Sequence, residues 1–127
     1  DVLIQAQILD LLKKIKNEVE AKTKEEFNSV LLNLYRHEKD SNGWHSDNEK
    51  ELGENPFIAS LSFGEERDFL IKHKSREGWS QKIRLHSGSL LLMGGETQHH
   101  WKHSLPKRSK PLGPRINLTF RKILDCR

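Results

Sequence analysis

Residues 115–121 read Arg-Ile-Asn-Leu-Thr-Phe-Arg, a stretch in which polar and apolar residues alternate without a break. Side chains point alternately to the two faces of a β-strand, so this stretch predicts a strand with one polar and one apolar face. Half-exposed antiparallel strands are common, and an edge strand with its polar face in water would give this pattern. The polar face carries Arg115, Asn117, Thr119 and Arg121, and the apolar face carries Ile116, Leu118 and Phe120.

A second interpretation of the polar face is an anion pocket, because arginine favours bidentate binding of carboxylates. The two guanidinium groups lie roughly 20 Å apart along a fully extended strand, so they could hold opposite ends of a short dicarboxylate. Leu31, Asn33 and Tyr35 alternate in the same way on an earlier segment. Asn33 and Tyr35 could donate hydrogen bonds to a buried acid, or they could be a polar residue at a strand end and a core aromatic.

The rest of the chain predicts one helix followed by many short strands. Residues 2–20 carry apolar side chains at helical spacing, which indicates an amphipathic helix packed on a sheet. Residues 21–26 form a charged break, and Thr23 and Glu26 have the spacing of a capping box, but the apolar residues that follow favour a strand. Turn residues separate strands predicted at 27–36, 43–47, 57–63, 67–74, 81–86, 89–93, 99–105 and 115–123. This order predicts a mainly β fold, such as a jelly roll, with an N-terminal packing helix.

Composition limits the class of protein. The 127 residues correspond to one domain, and no apolar run approaches the about 20 residues that a bilayer-spanning helix needs, so we expect no membrane partner. A formal net charge of +4 has the right sign for a polyanionic partner, although a solvated basic surface would give the same value. The single cysteine, Cys126, excludes an internal disulfide framework and fits a reducing compartment.

A pair of possible metal ligands lies near the middle of the chain. In His45-Ser46-Asp47, an extended backbone would place the imidazole and the carboxylate on one face. With a distant His103, these residues could form the 2-His-1-carboxylate set that is typical of non-haem Fe(II) oxygenases. A His-x-Asp triplet also occurs by chance. A rival is a local zinc site at His99, His100 and His103, but that spacing needs a helix and lacks a fourth ligand.

Five motifs, taken in order, resemble the AlkB family of Fe(II)- and 2-oxoglutarate-dependent nucleic-acid demethylases. The resemblance covers residues 27–123 and is closest to the animal-type homologues that act on DNA or RNA bases. Its most specific part is the Arg-x-Asn-x-Thr-x-Arg pattern that follows the His-x-Asp and His motifs. The motifs are Asn33-Leu34-Tyr35, residues 43–47, residues 58–64, Trp101-Lys102-His103 and residues 114–121.

The resemblance implies a double-stranded β-helix with iron at one open end. By position, His45, Asp47 and His103 match the Fe(II) ligands of the family. Arg115 matches the residue that pairs with the distal carboxylate of 2-oxoglutarate, and Arg121 matches the partner near the iron-bound carboxylate. The remaining members of the implied 2-oxoglutarate pocket are Leu31, Asn33, Tyr35, Asn117 and Thr119.

The resemblance also implies a substrate and a reaction, namely oxidative removal of methyl groups from N-alkylated bases. The implied partner is alkylated DNA or RNA, expected single-stranded, and we expect a monomer in the cytoplasm, or in the nucleus of a eukaryote. The family often has an acidic base-reading residue just after the iron-binding Asp. Here Asn48 stands at that position and Glu49 follows it, so either residue could read the base, while Asn48 could instead cap a turn. Trp44 is a further candidate for contact with the base.

Family members usually carry a nucleotide-recognition lid upstream of the first helix, so we expect residues 1–127 to form a single dioxygenase domain without that lid. Two alternatives to base demethylation stay open at this point. The same site could act on a protein or a small molecule, because fold does not decide function. The fold could also serve as a non-catalytic nucleic-acid-binding module, which the complete set of ligands and arginines argues against.

Overall fold

The computed structural model describes residues 1–124, so Cys126 lies outside the described residues. The helices are α1 (Val2–Thr23) and α2 (Thr97–His100), with a 3-10 turn at Lys50–Leu52. The strands are β1 (Ser29–Tyr35), β2 (Asn42–His45), β3 (Ile58–Gly64), β4 (Arg67–His73), β5 (Ser80–Leu85), β6 (Leu90–Met93), β7 (Trp101–Leu105) and β8 (Arg115–Arg121).

The strands form two four-stranded sheets with antiparallel pairing. The first sheet has the order β1-β8-β3-β6, and the second has the order β2-β7-β4-β5. Apolar side chains from both sheets form one buried cluster between them, which includes Tyr35 and Ile58 from the first sheet and Phe69 and Leu105 from the second. The predicted fold class, a mainly β jelly roll with an N-terminal helix, is confirmed.

A second core lies between α1 and the outer face of the first sheet. Val19 of α1 packs with Phe27, Ala59, Leu118 and Phe120. The C-terminal part of the apolar stripe therefore packs on the sheet, as its spacing predicts. Near the N-terminal end the same stripe is open to solvent, because Ile4 and Ile8 are about half exposed.

Two predicted boundaries of α1 and β1 are wrong. The helix runs through the predicted charged break as far as Thr23, whose hydroxyl donates to the carbonyl of Val19. It ends where Lys24 takes a left-handed conformation with φ of 60°. Strand β1 then begins at Ser29, because Phe27 and Asn28 form the crossing from helix to sheet.

The edge-strand interpretation of residues 115–121 is also wrong. β8 is an internal strand with β1 on one side and β3 on the other, and Arg115 and Asn117 on its polar face are buried. The strand predicted at residues 99–105 begins only at Trp101, because His99 and His100 belong to α2. Strand β2 ends at His45, so Asp47 follows the strand rather than lying within it.

None of the helices within residues 1–124 is long and apolar enough to cross a membrane.

Replacing Phe120 by alanine tests the helix-to-sheet core. This ring is fully buried between α1 and the sheet, so we expect Phe120→Ala to lower the free energy of unfolding by about 3–5 kcal/mol in urea denaturation. Ile116→Ala, on the same face of the same strand but 44% exposed, should cost about 1 kcal/mol or less. Equal losses for the two variants would contradict the packing described for α1.

Candidate metal and dicarboxylate site

Three side chains converge at one end of the space between the sheets. The possible ligand atoms of His45, Asp47 and His103 all lie within 4.8 Å of one another, and no second group of three or more such residues occurs within the described chain. The carboxylate oxygens of Asp47 lie 3.7 Å from Nε2 of His45 and 3.5 Å from Nε2 of His103. Two imidazole nitrogens and one carboxylate are the donor set of a site that binds Fe(II) and leaves coordination positions open.

The surroundings of both histidines fix their rings for metal binding. Nδ1 of His45 lies 2.7 Å from the carbonyl oxygen of Gly43. A carbonyl only accepts hydrogen bonds, so Nδ1 carries the hydrogen and Nε2 keeps its lone pair for a metal. The ring of His103 is buried and stacks on Phe69, with ring centroids 5.1 Å apart. The predicted metal ligands are thus brought together in a tautomer and orientation that suit a metal.

The charge of Asp47 is maintained in spite of its partial burial. Burial raises the pKa of this carboxyl group, but the hydrogen bond and charge of His103, with the charges of His45 and Arg121, outweigh that effect. The net result is a pKa below the usual range, so the group is a carboxylate at neutral pH. An anionic oxygen ligand next to two imidazoles, which give up any extra proton when a metal binds, suits a divalent iron ion.

Gln98 holds the segment that carries Asp47. Its side chain is almost fully buried, and Oε1 accepts a hydrogen bond of 2.8 Å from the backbone N–H of Asp47. Its Nε2 donates to the sulfur of Met93. One residue earlier, the hydroxyl of Ser46 donates to the carbonyl of Trp101 at 2.6 Å. These contacts replace the sheet hydrogen bonds that the chain loses after β2 ends at His45.

The polar faces of β1 and β8 lie directly against each other. In the antiparallel register, Tyr35 pairs with Arg115, Asn33 with Asn117, and Leu31 with Thr119. The six side chains predicted to bind 2-oxoglutarate on these strands therefore form three cross-strand pairs. Together with Arg121 and the three possible metal ligands, they line a single cavity of about 140 Å³.

Arg115 is a buried cation at one end of this cavity. It is 2% exposed, its guanidinium lies 5.1 Å from the ring centroid of Tyr35, and one nitrogen donates to the hydroxyl of Ser62 at 2.9 Å. Burial lowers the pKa of Arg115, and no carboxylate within residues 1–124 forms an ion pair with it. Its Nε and that of Arg121 are buried without a hydrogen-bond partner. A bound dicarboxylate would supply the missing acceptors, so the residues present fit 2-oxoglutarate.

Three further polar residues at the site could not be predicted from the sequence pattern. Ser60 exchanges hydrogen bonds with the amide of Asn117, at 2.8 and 2.9 Å, and Ser62 binds Arg115. Arg67 is 1% exposed and lies on the ring of Tyr35 at 5.6 Å. Serines in an apolar strand are common, and only the pairing of β3 with β8 brings these two under the polar face.

The three residues predicted to contact substrate do not line this cavity. Asn48 lies in a separate shallow depression beside Gln98, and Glu49 is exposed just before the 3-10 turn. Trp44 is 44% exposed, and the ammonium of Lys72 lies 4.0 Å from its ring centroid. Because His45 points towards the cavity, its neighbour Trp44 points to the opposite face of β2. Their assignment to the substrate stays a prediction.

The rival zinc site does not assemble. His103 turns towards Asp47, whereas the rings of His99 and His100 lie against each other, with centroids 4.5 Å apart. His100 also pairs with Glu96, four residues earlier in the same turn, at 3.4 Å. Of the other histidines, His86 is exposed and His37 is partly exposed, whereas His73 packs among aromatic rings.

Comparison with known proteins agrees with this site. Residues 3–121 match the 2OG-Fe(II) oxygenase superfamily. The chain is 47% identical over 121 residues to the alpha-ketoglutarate-dependent dioxygenase alkB homolog 3 of Homo sapiens, covering 89% of this chain and 42% of that protein. The chain belongs to the AlkB family of 2OG-Fe(II) oxygenases. It is also 46% identical over 123 residues to the DNA oxidative demethylase ALKBH2 of Homo sapiens, covering 91% of this chain and 47% of that protein.

The fold of this AlkB-family chain also matches a solved structure. The structure of OsALKBH1 superposes with a TM-score of 0.65 at 23% identity, covering 89% of this chain and 65% of that one. At that identity the likeness concerns the fold. The chain spans less than half the length of the two human relatives.

Substitution of Gln98 tests its hold on Asp47. Gln98→Met keeps the volume but removes the acceptor for the Asp47 N–H, so we expect Fe(II) affinity to fall about 10–100-fold, as for other residues that orient metal ligands. Anaerobic titration with Fe(II) measures this. The control is His99→Met, an exposed neighbour on the same helix that should bind Fe(II) like wild type. Wild-type affinity in a folded Gln98→Met protein would refute the role.

Proposed function

We propose that this protein carries out Fe(II)- and 2-oxoglutarate-dependent oxidative demethylation of N-alkylated bases in DNA or RNA. One observation carries the proposal. The His45, Asp47 and His103 triad and the unpartnered guanidinium donors of Arg115 and Arg121 line the same cavity. A divalent metal and an organic dianion bound there would be neighbours. The similarity to an alpha-ketoglutarate-dependent dioxygenase and to a DNA oxidative demethylase supports the same reaction class.

The protein's own residues bind and orient the reactants. His45, Asp47 and His103 would hold Fe(II), and their grouping on one side of the ion leaves positions free for other ligands. When bound, iron would let dioxygen oxidise 2-oxoglutarate to succinate and CO₂ and hydroxylate an N-methyl group, and the resulting hydroxymethyl group would leave the base as formaldehyde. Phe69 and Leu105 line the cavity beside the ligands and exclude water from it.

The two arginines set the direction in which 2-oxoglutarate lies. Arg115 is packed against Tyr35 at the end of β1, so it binds the distal carboxylate through its planar fork. Arg121 lies at the other end of β8 from Arg115 and lines the same cavity as Asp47, so we propose that it faces the other carboxylate at the metal end. Asn33 and Tyr35 line the wall between them and can donate hydrogen bonds.

The substrate contacts are proposed from position. Asn48 and Glu49 directly follow the ligand Asp47, so they are placed to meet the edge of a base presented to the metal. Trp44 and Lys72 form a cation–aromatic pair, at 4.0 Å, that could receive a base and its phosphate. We propose a single-stranded substrate, because the target base must leave a duplex stack to reach the cavity.

We propose that residues 1–127 act as one dioxygenase domain and that the protein is a monomer. We propose that Lys107 and Lys110 of one basic loop contact phosphates, whereas Arg108 between them pairs with Asp68 at 3.0 Å. We propose that the protein acts on nucleic acid in the cytoplasm, or in the nucleus of a eukaryote.

Loss of Asp47 tests the metal and the reaction together. Anaerobic addition of Fe(II) and 2-oxoglutarate to wild type should give a metal-to-ligand charge-transfer band, and aerobic incubation with a methylated oligonucleotide should release formaldehyde. We expect Asp47→Ala to lose both signals, because two imidazoles alone hold iron weakly. The control Asp10→Ala removes an exposed carboxylate of α1 and should keep both. A band without formaldehyde from any methylated DNA or RNA would point to a protein or small-molecule substrate.

Substitution of Arg115 tests the direction of the dicarboxylate. Arg115→Met leaves the distal carboxylate in a buried site without its cation, so we expect 2-oxoglutarate affinity to fall about a hundredfold, read from the charge-transfer band. Arg115→Lys should recover only part of this affinity, because lysine lacks the planar group that binds a carboxylate through two hydrogen bonds. Pyruvate, which lacks the distal carboxylate, should bind all three proteins alike. The control Arg84→Met removes a surface arginine that pairs with Glu66 and Asp68.

A further inference from the structure

Four aromatic rings form a cluster at the outer end of the second sheet. The indoles of Trp79 and Trp101 are nearly parallel, at 22°, with centroids 6.4 Å apart. The ring of His73 stands edge-on to both, at 5.6 and 5.0 Å, and lies parallel to the ring of His100 at 5.8 Å. We call these four residues the hairpin cluster, because Trp79 and His73 lie on the hairpin that joins β4 to β5.

The hairpin cluster continues the inner face of the second sheet beyond the metal site. Trp101 is two residues before His103 on β7, so their side chains share a face and lie about 6.6 Å apart along the strand. His73 is paired with Trp101, just as Ile71 is paired with His103. The cluster is therefore the next row of side chains outside the metal ligand, and it does not line the 2-oxoglutarate cavity.

The cluster combines an exposed ring with positive charge. Trp79 is 51% exposed, and the guanidinium carbon of Arg76 lies 4.4 Å from its ring centroid. Residues 72–82 contain four basic side chains and one acidic side chain, Glu77. A half-exposed indole under a guanidinium, on a basic hairpin, complements a chain of stacked bases and phosphates better than it complements an apolar partner.

The hairpin is held in shape before any partner binds. Nδ1 of His73 accepts hydrogen bonds from the backbone N–H groups of Ser75 and Arg76, at 3.1 and 3.0 Å. The ammonium of Lys74 donates to the carbonyl of Gln98 at 3.1 Å, and its backbone N–H donates to His100. These bonds tie the hairpin to α2, so Trp79 and Arg76 are fixed relative to the metal site.

We propose that Trp79 and Arg76 form a stacking subsite for a nucleobase next to the target nucleotide on a single-stranded nucleic acid. The inference rests on the proposed function, because it assumes that the target base is part of a nucleic acid. A base would replace the guanidinium of Arg76 over the half-exposed ring of Trp79, and Arg76 would then donate hydrogen bonds to the phosphate. The subsite holds the strand while the target base enters the cavity beside His103.

Binding of unmethylated oligonucleotides tests the subsite without catalysis. Fluorescence anisotropy with labelled single-stranded DNA and RNA should show about tenfold weaker binding by Trp79→Ala than by wild type, with an unchanged salt slope. Trp79→Phe should recover most of the affinity, because a phenyl ring also stacks. Arg76→Gln should reduce the slope of log K against log salt by about 0.7. The DNA and RNA arms show which sugar the site prefers.

Lys82→Gln is the matched charge control. Lys82 lies on the same hairpin but faces the outer side of the sheet, since it pairs with Leu70, whose neighbour Ile71 faces inward. We expect this variant to bind like wild type. A loss equal to that of Arg76→Gln would mean general charge attraction, and wild-type binding by a folded Trp79→Ala protein would mean that the cluster only packs the hairpin. Either result overturns the proposal, and thermal melting verifies folding.

Oligonucleotides with an abasic neighbour locate the subsite. Two substrates carry the methylated base with an abasic site on its 5′ or its 3′ side. The KM of wild type should rise about tenfold with one of these two substrates. The KM of Trp79→Ala should be the same for both of them and for the intact substrate. If wild type demethylates no base at all, the proposed function fails, while the anisotropy result still decides whether Trp79 stacks on a nucleic acid.

Discussion

Burial of the Arg115 guanidinium without a carboxylate partner is the constraint on which the site depends. Taking an unpaired charge out of water costs several kcal/mol even after the surroundings relax. Here the ring of Tyr35 and the hydroxyl of Ser62 offset part of that cost. A second buried arginine, Arg67, lies on the same tyrosine ring and donates to the backbone carbonyls of Asp40 and Pro106. Two cations around one phenol create a region that favours an anion.

The first sheet is built to carry this charge. β8 lies between β1 and β3, so the polar row beginning at Arg115 has neighbours on both sides. Asn117 is satisfied by Ser60, and the apolar side of the same strand is sealed by Phe120 against α1. The alternation of one strand thus supplies the pocket on one face and the stability that retains it on the other. Loss of either face would expose the buried cation to water.

The sequence predicts much of this arrangement, for a reason that lies in strand geometry. Period-two alternation in residues 115–121 predicts which side chains share a face, and the same holds for Leu31, Asn33 and Tyr35. Alternation does not say which face is buried, and for that reason an edge strand fits the pattern equally well. Which face is buried depends on the pairing that sets Tyr35 opposite Arg115. The pocket residues of β1 and β8 were therefore predictable, but their burial and the contribution of Ser60 were not.

Features that depend on contacts between residues distant in the chain cannot be predicted from such patterns. Gln98 sits in a helix of four residues, too short to show a periodic signal, and its partner Asp47 is 51 residues away in the chain. The same turn shifts the start of β7, because the four residues Thr-Gln-His-His are too few for periodicity to distinguish a helical turn from a strand. The hairpin cluster depends on the pairing of β4 with β7, and therefore no local motif indicates it.

The two sheets contribute different residues to the site. The first sheet contributes the arginines and amides, which in the proposed function bind the same small dianion in every turnover. The second sheet, with the segment after β2, contributes the metal ligands, and its hairpin and loops form the rim of the site. Because Asp47 and His103 are held by α2 and β7, whereas Trp79 and Arg76 lie on a hairpin turn, residues at the rim can change without disturbing the ligands. Substrate choice can therefore vary on a scaffold whose metal and 2-oxoglutarate chemistry is fixed by the first sheet and the inner row of the second.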